Sequence, residues 1–206
     1  GGIMIIFLII VVCIYFIYAI IPTFYYKFFY KEELLSRAEE RNICLTFDDG
    51  IDKVYTEKLL DLLGEHGLKA SFFIVAKTIE ENPQICKRMI REGHIVGLHS
   101  LAHKDALVKG YFYTKKDFQE SVKIFEKHDL DLKYFRPPWG HLNIFTMFFI
   151  KKYKLQLVLW NLMVGDWKDY DSADPIREEL IKRIEKGSII CLHDGRGSRG
   201  APKRTI

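Results

Sequence analysis

Two adjacent carboxylates, Asp48 and Asp49, end the apolar stretch Cys44-Leu45-Thr46-Phe47, and Gly50 follows them. Neighbouring aspartates repel, so both stay ionised only beside a cation or another positive partner. One could then hold a cation while the other accepts a proton. The same residues also read as a strand closing on an Asp-Gly turn, which is common. A second group is His99-Ser100-Leu101-Ala102-His103. On a helical turn, positions i and i+4 bring both imidazoles to one side. Two histidines and one carboxylate form a zinc-type ligand set with a position left for water. Two unrelated surface histidines are the plainer reading of that spacing.

Three more groups could join them. In Arg136-Pro137-Pro138-Trp139-Gly140 the prolines stiffen a turn and the glycine permits close backbone approach. Asp166-Trp167 and Leu192-His193-Asp194 each set a titratable group in or after an apolar stretch. Singly, these have structural readings: a turn with its arginine in a salt bridge, packed aromatics, a histidine closing a strand. Together they place Asp-Asp, His/His, Arg and His at four strand ends that would converge, which structure alone does not explain.

The elements that must position them follow from periodicity. Apolar runs predict strands at 43–47, 70–76, 95–98, 133–135, 155–160 and 188–192. Helical spacing predicts helices at 52–66, 79–92, 114–128, 143–153 and from Asp174-Pro175 to Gly187, with Gly67, Gly93 and Gly187 as stops. Strands alternating with helices imply a parallel sheet with crossover connections. Six strand–helix steps are too many for a small open sheet and too few for an eight-fold barrel.

The first 26 residues carry no charge, and residues 3–21 are an apolar run of 19 residues. As a helix this run would extend roughly 28 Å, close to a bilayer core. Tyr15, Tyr18, Tyr25 and Tyr26 lie toward one end, as in an interfacial aromatic belt. A cleaved signal peptide is the competing reading, but no small-x-small cleavage site stands out. Lys27, Lys31 and Arg37 follow the run and nothing basic precedes it. That bias would put the following domain in the cytoplasm. A net charge of +4 over 206 residues, with no nucleic-acid motif, argues against a nucleic-acid partner. Of the four cysteines, Cys13 lies in the apolar run and Cys44 and Cys191 in strands. Buried free thiols are expected, a Cys44–Cys191 disulfide being open only if those strands adjoin.

In order, spacing and strand context, these motifs resemble the polysaccharide deacetylases of the NodB-homology type, carbohydrate esterase family 4, over about residues 43–194. The resemblance implies a distorted (β/α) barrel with fewer than eight strands. It implies that Asp49, His99 and His103 hold a divalent cation, zinc first, with cobalt, nickel or manganese as alternatives. Asp48 would be the general base, oriented by Arg136, and His193 the general acid, tuned by Asp166. Trp167 would line a sugar groove and the Trp139 N–H would bind an oxyanion. Cys191 stands where a leucine commonly lines an acetyl pocket, with Leu192 beside it in the substrate-binding stretch. Met163 replaces a frequent aspartate. The family has a further helix and strand after the His-Asp motif, so the barrel is expected to be C-terminally truncated here.

The expected organisation is a transmembrane anchor at 1–26, a linker at 27–41 and a catalytic domain at 42–206. The expected activity is metal-dependent removal of N-acetyl groups from N-acetylglucosamine units of a cell-surface polysaccharide, peptidoglycan first. A non-catalytic glycan-binding scaffold and an O-acetyl esterase are the alternatives. The resemblance outweighs the charge bias and implies a single-pass protein of the cell membrane with an extracytoplasmic domain.

Overall fold

The structure, a computed structural model, describes residues 1–28, 42–168, 172–195, 203 and 205. Seven strands form one parallel sheet: β1 (Cys44–Asp48), β2 (Ser71–Ile74), β3 (Ile95–Leu98), β4 (Tyr134–Phe135), β5 (Gln156–Leu157), β6 (Leu162–Met163) and β7 (Ile189–His193). Their order is β5-β4-β3-β2-β1-β7-β6. Consecutive strands β5 and β6 thus occupy opposite edges. Leu157 and Leu162 are five peptide steps apart, which span at most about 18 Å. The edges of a flat seven-strand sheet would stand about 29 Å apart. The sheet must therefore curl until its edges approach, giving the distorted (β/α) barrel with fewer than eight strands.

Among the described residues, six α-helices follow the N-terminal one and flank the sheet: α2 (Tyr55–Glu65), α3 (Ala76–Glu81), α4 (Pro83–Arg91), α5 (Tyr111–Lys127), α6 (Ile144–Lys152) and α7 (Asp174–Arg183). Local chemistry sets their limits. Asp52 Oδ1 accepts from the N–H groups of Val54 and Tyr55 ahead of α2, and Asn143 caps α6 by accepting from Thr146 N–H. Leu59, Leu60 and Leu63 put one face of α2 in the core.

Strand periodicity sorts the side chains. Phe47, Phe72, Ile74, Ile190 and Leu192 join the apolar core with the helices. The alternate residues Thr46, Asp48, Phe73, Cys191 and His193 take the other, inner face of the curl.

Several expectations change. The helix expected at 79–92 is two, α3 and α4, because Asn82 precedes Pro83 and leaves the helical region (φ −137, ψ 53). The seventh strand, β6, is two residues long, too short for a periodicity, and pairs Leu162 with Ile190 and Met163 with Cys191. Strands β1 and β7 adjoin, but Cys44 faces Ile189 and Cys191 faces Thr46, and all four cysteines are free thiols.

The apolar run forms α1 (Gly2–Phe28), a helix long and apolar enough to cross a membrane, interrupted by a π turn at Phe16–Ile20. Lys27 and Phe28, expected in the linker, are helical. The rest of that linker, 29–41, lies outside the described residues, as does the tail after Gly195 apart from residues 203 and 205.

Candidate active site

Strand ends and the loops after them supply the site. A cavity of about 490 Å³ is lined by Asp48, Asp49, His99, His103, Trp139 and His193, with His141, Trp160, Met163, Trp167, Cys191 and Gly195 completing its wall.

Asp49, His99 and His103 come together. His103 Nε2 lies 2.9 Å and His99 Nε2 3.3 Å from Asp49 Oδ1. His99 Nδ1 lies 2.7 Å from the Arg136 carbonyl. A carbonyl only accepts, so Nδ1 donates to it and His99 presents Nε2 to Asp49. Two imidazole nitrogens thus converge on one buried carboxylate oxygen. The donor set therefore fits a divalent cation.

The two histidines do not ride one helical turn. Residues 100–102 form a tight turn; Ser100 (φ 67), which opens it, and His103 (φ 49), which follows it, are left-handed, and Ser100 Oγ accepts from His103 N–H. Asp49 (φ 75) and Trp139 (φ 55) share that conformation. Three of the six non-glycine residues with positive φ among the described residues, Asp49, His103 and Trp139, thus line this cavity, and Ser100 lies in the turn that carries His103, as strained backbone does at functional sites. The turn is held from behind by Asp117 of α5, whose carboxylate accepts from Leu101 N–H and whose pKa burial lifts to about 7.

Asp48 is buried and fully engaged. Its Oδ1 lies 2.7 Å from Arg136 Nη1, and its Oδ2 accepts from the Cys191 thiol at 3.3 Å. Arg136 has no exposed surface. It also donates to Thr46 Oγ1 and to the carbonyls of Val158 and Leu159, and stacks 4.0 Å from the Phe73 ring centre. Arg136 thereby ties β1 to the segment that crosses between the sheet edges.

His193 faces the cavity from the end of β7. Its Nδ1 lies 2.8 Å from Asp166 Oδ1, and its backbone N–H donates to Asp166 Oδ2. Asp166, itself fully buried, also accepts from the Thr205 hydroxyl. Burial pushes the His193 pKa down, but the hydrogen bond to Asp166 and the charges of Asp166, Asp48 and Asp49 outweigh it and raise the pKa to about 9. At neutral pH it is an imidazolium with Nδ1 committed to Asp166 and Nε2 free to donate a proton.

A second cluster of possible ligands, Asp48, Cys191 and His193, lies within the same reach. Its thiol and imidazole hold protons instead. Burial and the neighbouring Asp48 charge raise the Cys191 pKa well above that of an ordinary thiol.

Trp139 stands over His103, ring centres 4.3 Å apart, and Trp167 meets His193 edge-on at 5.4 Å. Leu192, placed with the substrate-binding residues from the sequence, does not line the cavity. Strand alternation turns it to the opposite face from Cys191 and His193, into the core.

Other contributors were not singled out from the sequence. His141 lines the wall and pairs with Asp105 at 3.0 Å, and its position next to the Arg-Pro-Pro-Trp-Gly turn was the available signal. Thr46, which stands in the Asp-Asp motif but was given no role, bridges Arg136 and the Ile190 carbonyl, and Thr56, for which the sequence offered no signal, donates to Asp194 Oδ2 at 2.6 Å. Gly195 packs on the ligand loop so closely that a Cβ there would meet the Asp49 carbonyl oxygen at 2.1 Å.

Comparison with known proteins agrees with this geometry. The polysaccharide deacetylase family model matches residues 36–158. A peptidoglycan-N-acetylglucosamine deacetylase of Bacillus cereus is 33% identical over 162 residues, covering 78% of this chain and 76% of the relative. The peptidoglycan-N-acetylmuramic acid deacetylase PdaA of Bacillus subtilis is 33% identical over 170 residues, covering 80% and 64%. The crystal structure of the Bc1960 peptidoglycan N-acetylglucosamine deacetylase superposes with a TM-score of 0.74 at 28% identity, covering 82% of this chain and 78% of that one. The matched stretch carries Asp48, Asp49, His99, His103 and Arg136, and the chain belongs to the polysaccharide deacetylase family, the hydrolases of carbohydrate esterase family 4.

Proposed function

We propose that this protein removes acetyl groups from N-acetylated sugars of peptidoglycan, releasing acetate and leaving a free amine. One observation carries the reading: a carboxylate paired with a buried guanidinium and an imidazolium held by a buried carboxylate line one cavity with a three-donor cation site. Amide hydrolysis needs these three functions.

Asp49, His99 and His103 would hold the divalent cation, zinc before cobalt, nickel or manganese by the nature of the donors. When bound, it supplies Lewis-acid polarisation of the amide carbonyl and acidifies water. Asp48 accepts the proton of the attacking water, with Arg136 keeping the carboxylate oriented and its pair charge balanced. The Trp139 N–H donates to the oxygen that becomes negative as the carbonyl is attacked. His193 gives its Nε2 proton to the departing nitrogen, which then leaves as an amine. Asp166 keeps that imidazole charged and correctly turned. Trp167 and Trp139 offer flat faces to sugar rings, and Cys191 closes the space for the acetyl methyl.

The relatives support the substrate class. One is named for N-acetylglucosamine and the other for N-acetylmuramic acid. N-Acetylglucosamine is the first choice. We further read α1 as a single-pass anchor, residues 27–41 as a link and 42–206 as the catalytic domain, outside the cytoplasmic membrane where the glycan lies. Acetate release from N-acetylglucosamine oligomers, from peptidoglycan and from an O-acetylated polysaccharide, measured on metal-loaded full chain, tests the reaction. Release from the first two supports an amidase. Release from the ester alone makes the protein an O-acetyl esterase. No release from any of them makes it a non-catalytic glycan binder.

A further inference from the structure

The anchor helix does not simply lead into the domain. Residues 2–17 of α1 are exposed on every side, whereas from Tyr18 onward one face is covered. Ala19 and Thr23 are buried, and Tyr26 packs on the core. Thr23 Oγ1 lies 2.9 Å from both the N–H and the carbonyl oxygen of Leu142. The Tyr18 hydroxyl donates to the Lys109 carbonyl, and its ring meets Phe145 edge-on at 5.6 Å. The π turn at Phe16–Ile20 marks the change from free to docked helix.

On the anchor reading, the lipid-embedded part of α1 ends where its faces become covered, at the level of Tyr18 to Ile21. The domain surface packed at that level is then held against the lipid.

That surface is apolar where it has no reason to be in water. The ring chain starting at Tyr18 and Phe145 continues to Tyr111 at 5.3 Å and on to Phe112 at 5.5 Å. Phe112 is 85% exposed, Val108 72% and Phe148 55%, and Ile144 lies one turn before Phe148 on α6. Lys151 and Lys152 end that helix and Lys109 flanks Val108, so cations border the aromatics. Aromatic and aliphatic tips with basic neighbours suit the boundary between acyl chains and anionic headgroups.

We propose that this face, built from residues 106–112 and the exposed side of α6, is a second membrane contact that seats the catalytic domain on the bilayer. The proposal rests on reading α1 as a membrane anchor. The docked helix also reaches the cavity wall: a Cβ on Gly140 would meet Lys27 Cε at 3.1 Å. The side of the cavity formed by Trp139 and His141 is therefore the membrane-facing side, and the substrate is glycan lying next to the lipid surface.

The test uses the full chain in lipid nanodiscs containing anionic lipid, with Cys13→Ser and Cys44→Ser removing the accessible thiols. An environment-sensitive fluorophore is attached in turn at Phe112→Cys, Phe148→Cys, Ile9→Cys and Arg177→Cys. Arg177 is exposed on α7 and is not part of the proposed face. Phe112 and Phe148 are exposed, so their replacement leaves the core intact. The expected result is a blue shift at 112 and 148, with quenching by nitroxide lipids labelled near the headgroup. The label at 9 should be quenched by deeply placed nitroxides, and that at 177 by aqueous iodide alone. Lipid quenching at 9 with 112 and 148 behaving like 177 would overturn the second contact and keep the anchor. Iodide quenching at all four positions would overturn the anchor reading and this proposal with it.

Discussion

Arg136 Nη1 and Asp48 Oδ1 form a 2.7 Å ion pair in which neither side chain is open to solvent, their exposures being 0% and 3%. The pair is both structural and chemical, because the same guanidinium holds Thr46, Val158 and Leu159.

Arg136→Ala should destabilise the fold by about 3–5 kcal/mol, since it leaves the Asp48 charge buried and unpaired. Arg136→Lys should recover part of this but lose the fork that serves three elements at once. Urea unfolding followed by circular dichroism checks both. Equal stability of Arg136→Ala and wild type would show that the pair does not hold the strands.

The His193–Asp166 contact should appear in the pH profile. The imidazolium is the working form, so activity is present below its pKa and lost as pH rises through it. Asp166 raises that pKa toward about 9 against the effect of burial. A cation at Asp49 cancels part of the rise, so the diagnostic is a direction. Asp166→Asn should move the alkaline limb of kcat/KM to lower pH. An unmoved limb would separate His193 from the proton delivery.

Removing the cation should cost stability as well as activity. Chelator-treated protein should unfold at lower temperature than protein given zinc, with about 2.7 kcal/mol gained at a hundredfold excess over Kd. His103→Ala should abolish that gain, because it deletes one of three donors around Asp49 Oδ1. Differential scanning calorimetry with and without zinc reads the effect.

Gly195 should tolerate no side chain. A Cβ there would meet Asp49 O at 2.1 Å and Gly50 N at 2.5 Å, so Gly195→Ala must push the ligand loop away. Metal affinity should fall by roughly 10- to 100-fold, as when the support of a ligand is lost. Calorimetric zinc titration measures it. Unchanged affinity would mean that the loop holds Asp49 without Gly195.

Much of this site was legible before the fold. Asp48-Asp49, His99, His103, Arg136 and His193 stand at or just beyond strand ends, and in a parallel sheet those ends gather on one side. Long apolar runs such as β1 and β7 gave their strands to within a residue or two. What escaped was short or bent. The two-residue β6 has no period, and the Asn82 break needs its backbone angles. The His99–His103 turn depends on left-handed backbone at Ser100 and His103, which spacing alone does not reveal. Leu192 was misplaced because the motif was taken as a unit, whereas β7 alternates its faces.

The most direct measurement is acetate release from N-acetylglucosamine oligomers by metal-loaded full chain, compared between wild type and Asp48→Asn. The substitution preserves shape and leaves Arg136 an amide oxygen to donate to, but it removes the pair's negative charge along with the base, so the two are compared as folded, zinc-loaded protein. Wild type should release acetate, and Asp48→Asn should be slower by roughly 10²- to 10⁴-fold. Equal rates would contradict the assignment of Asp48 as the base, and no release from folded, zinc-loaded wild type would contradict the deacetylase reading itself.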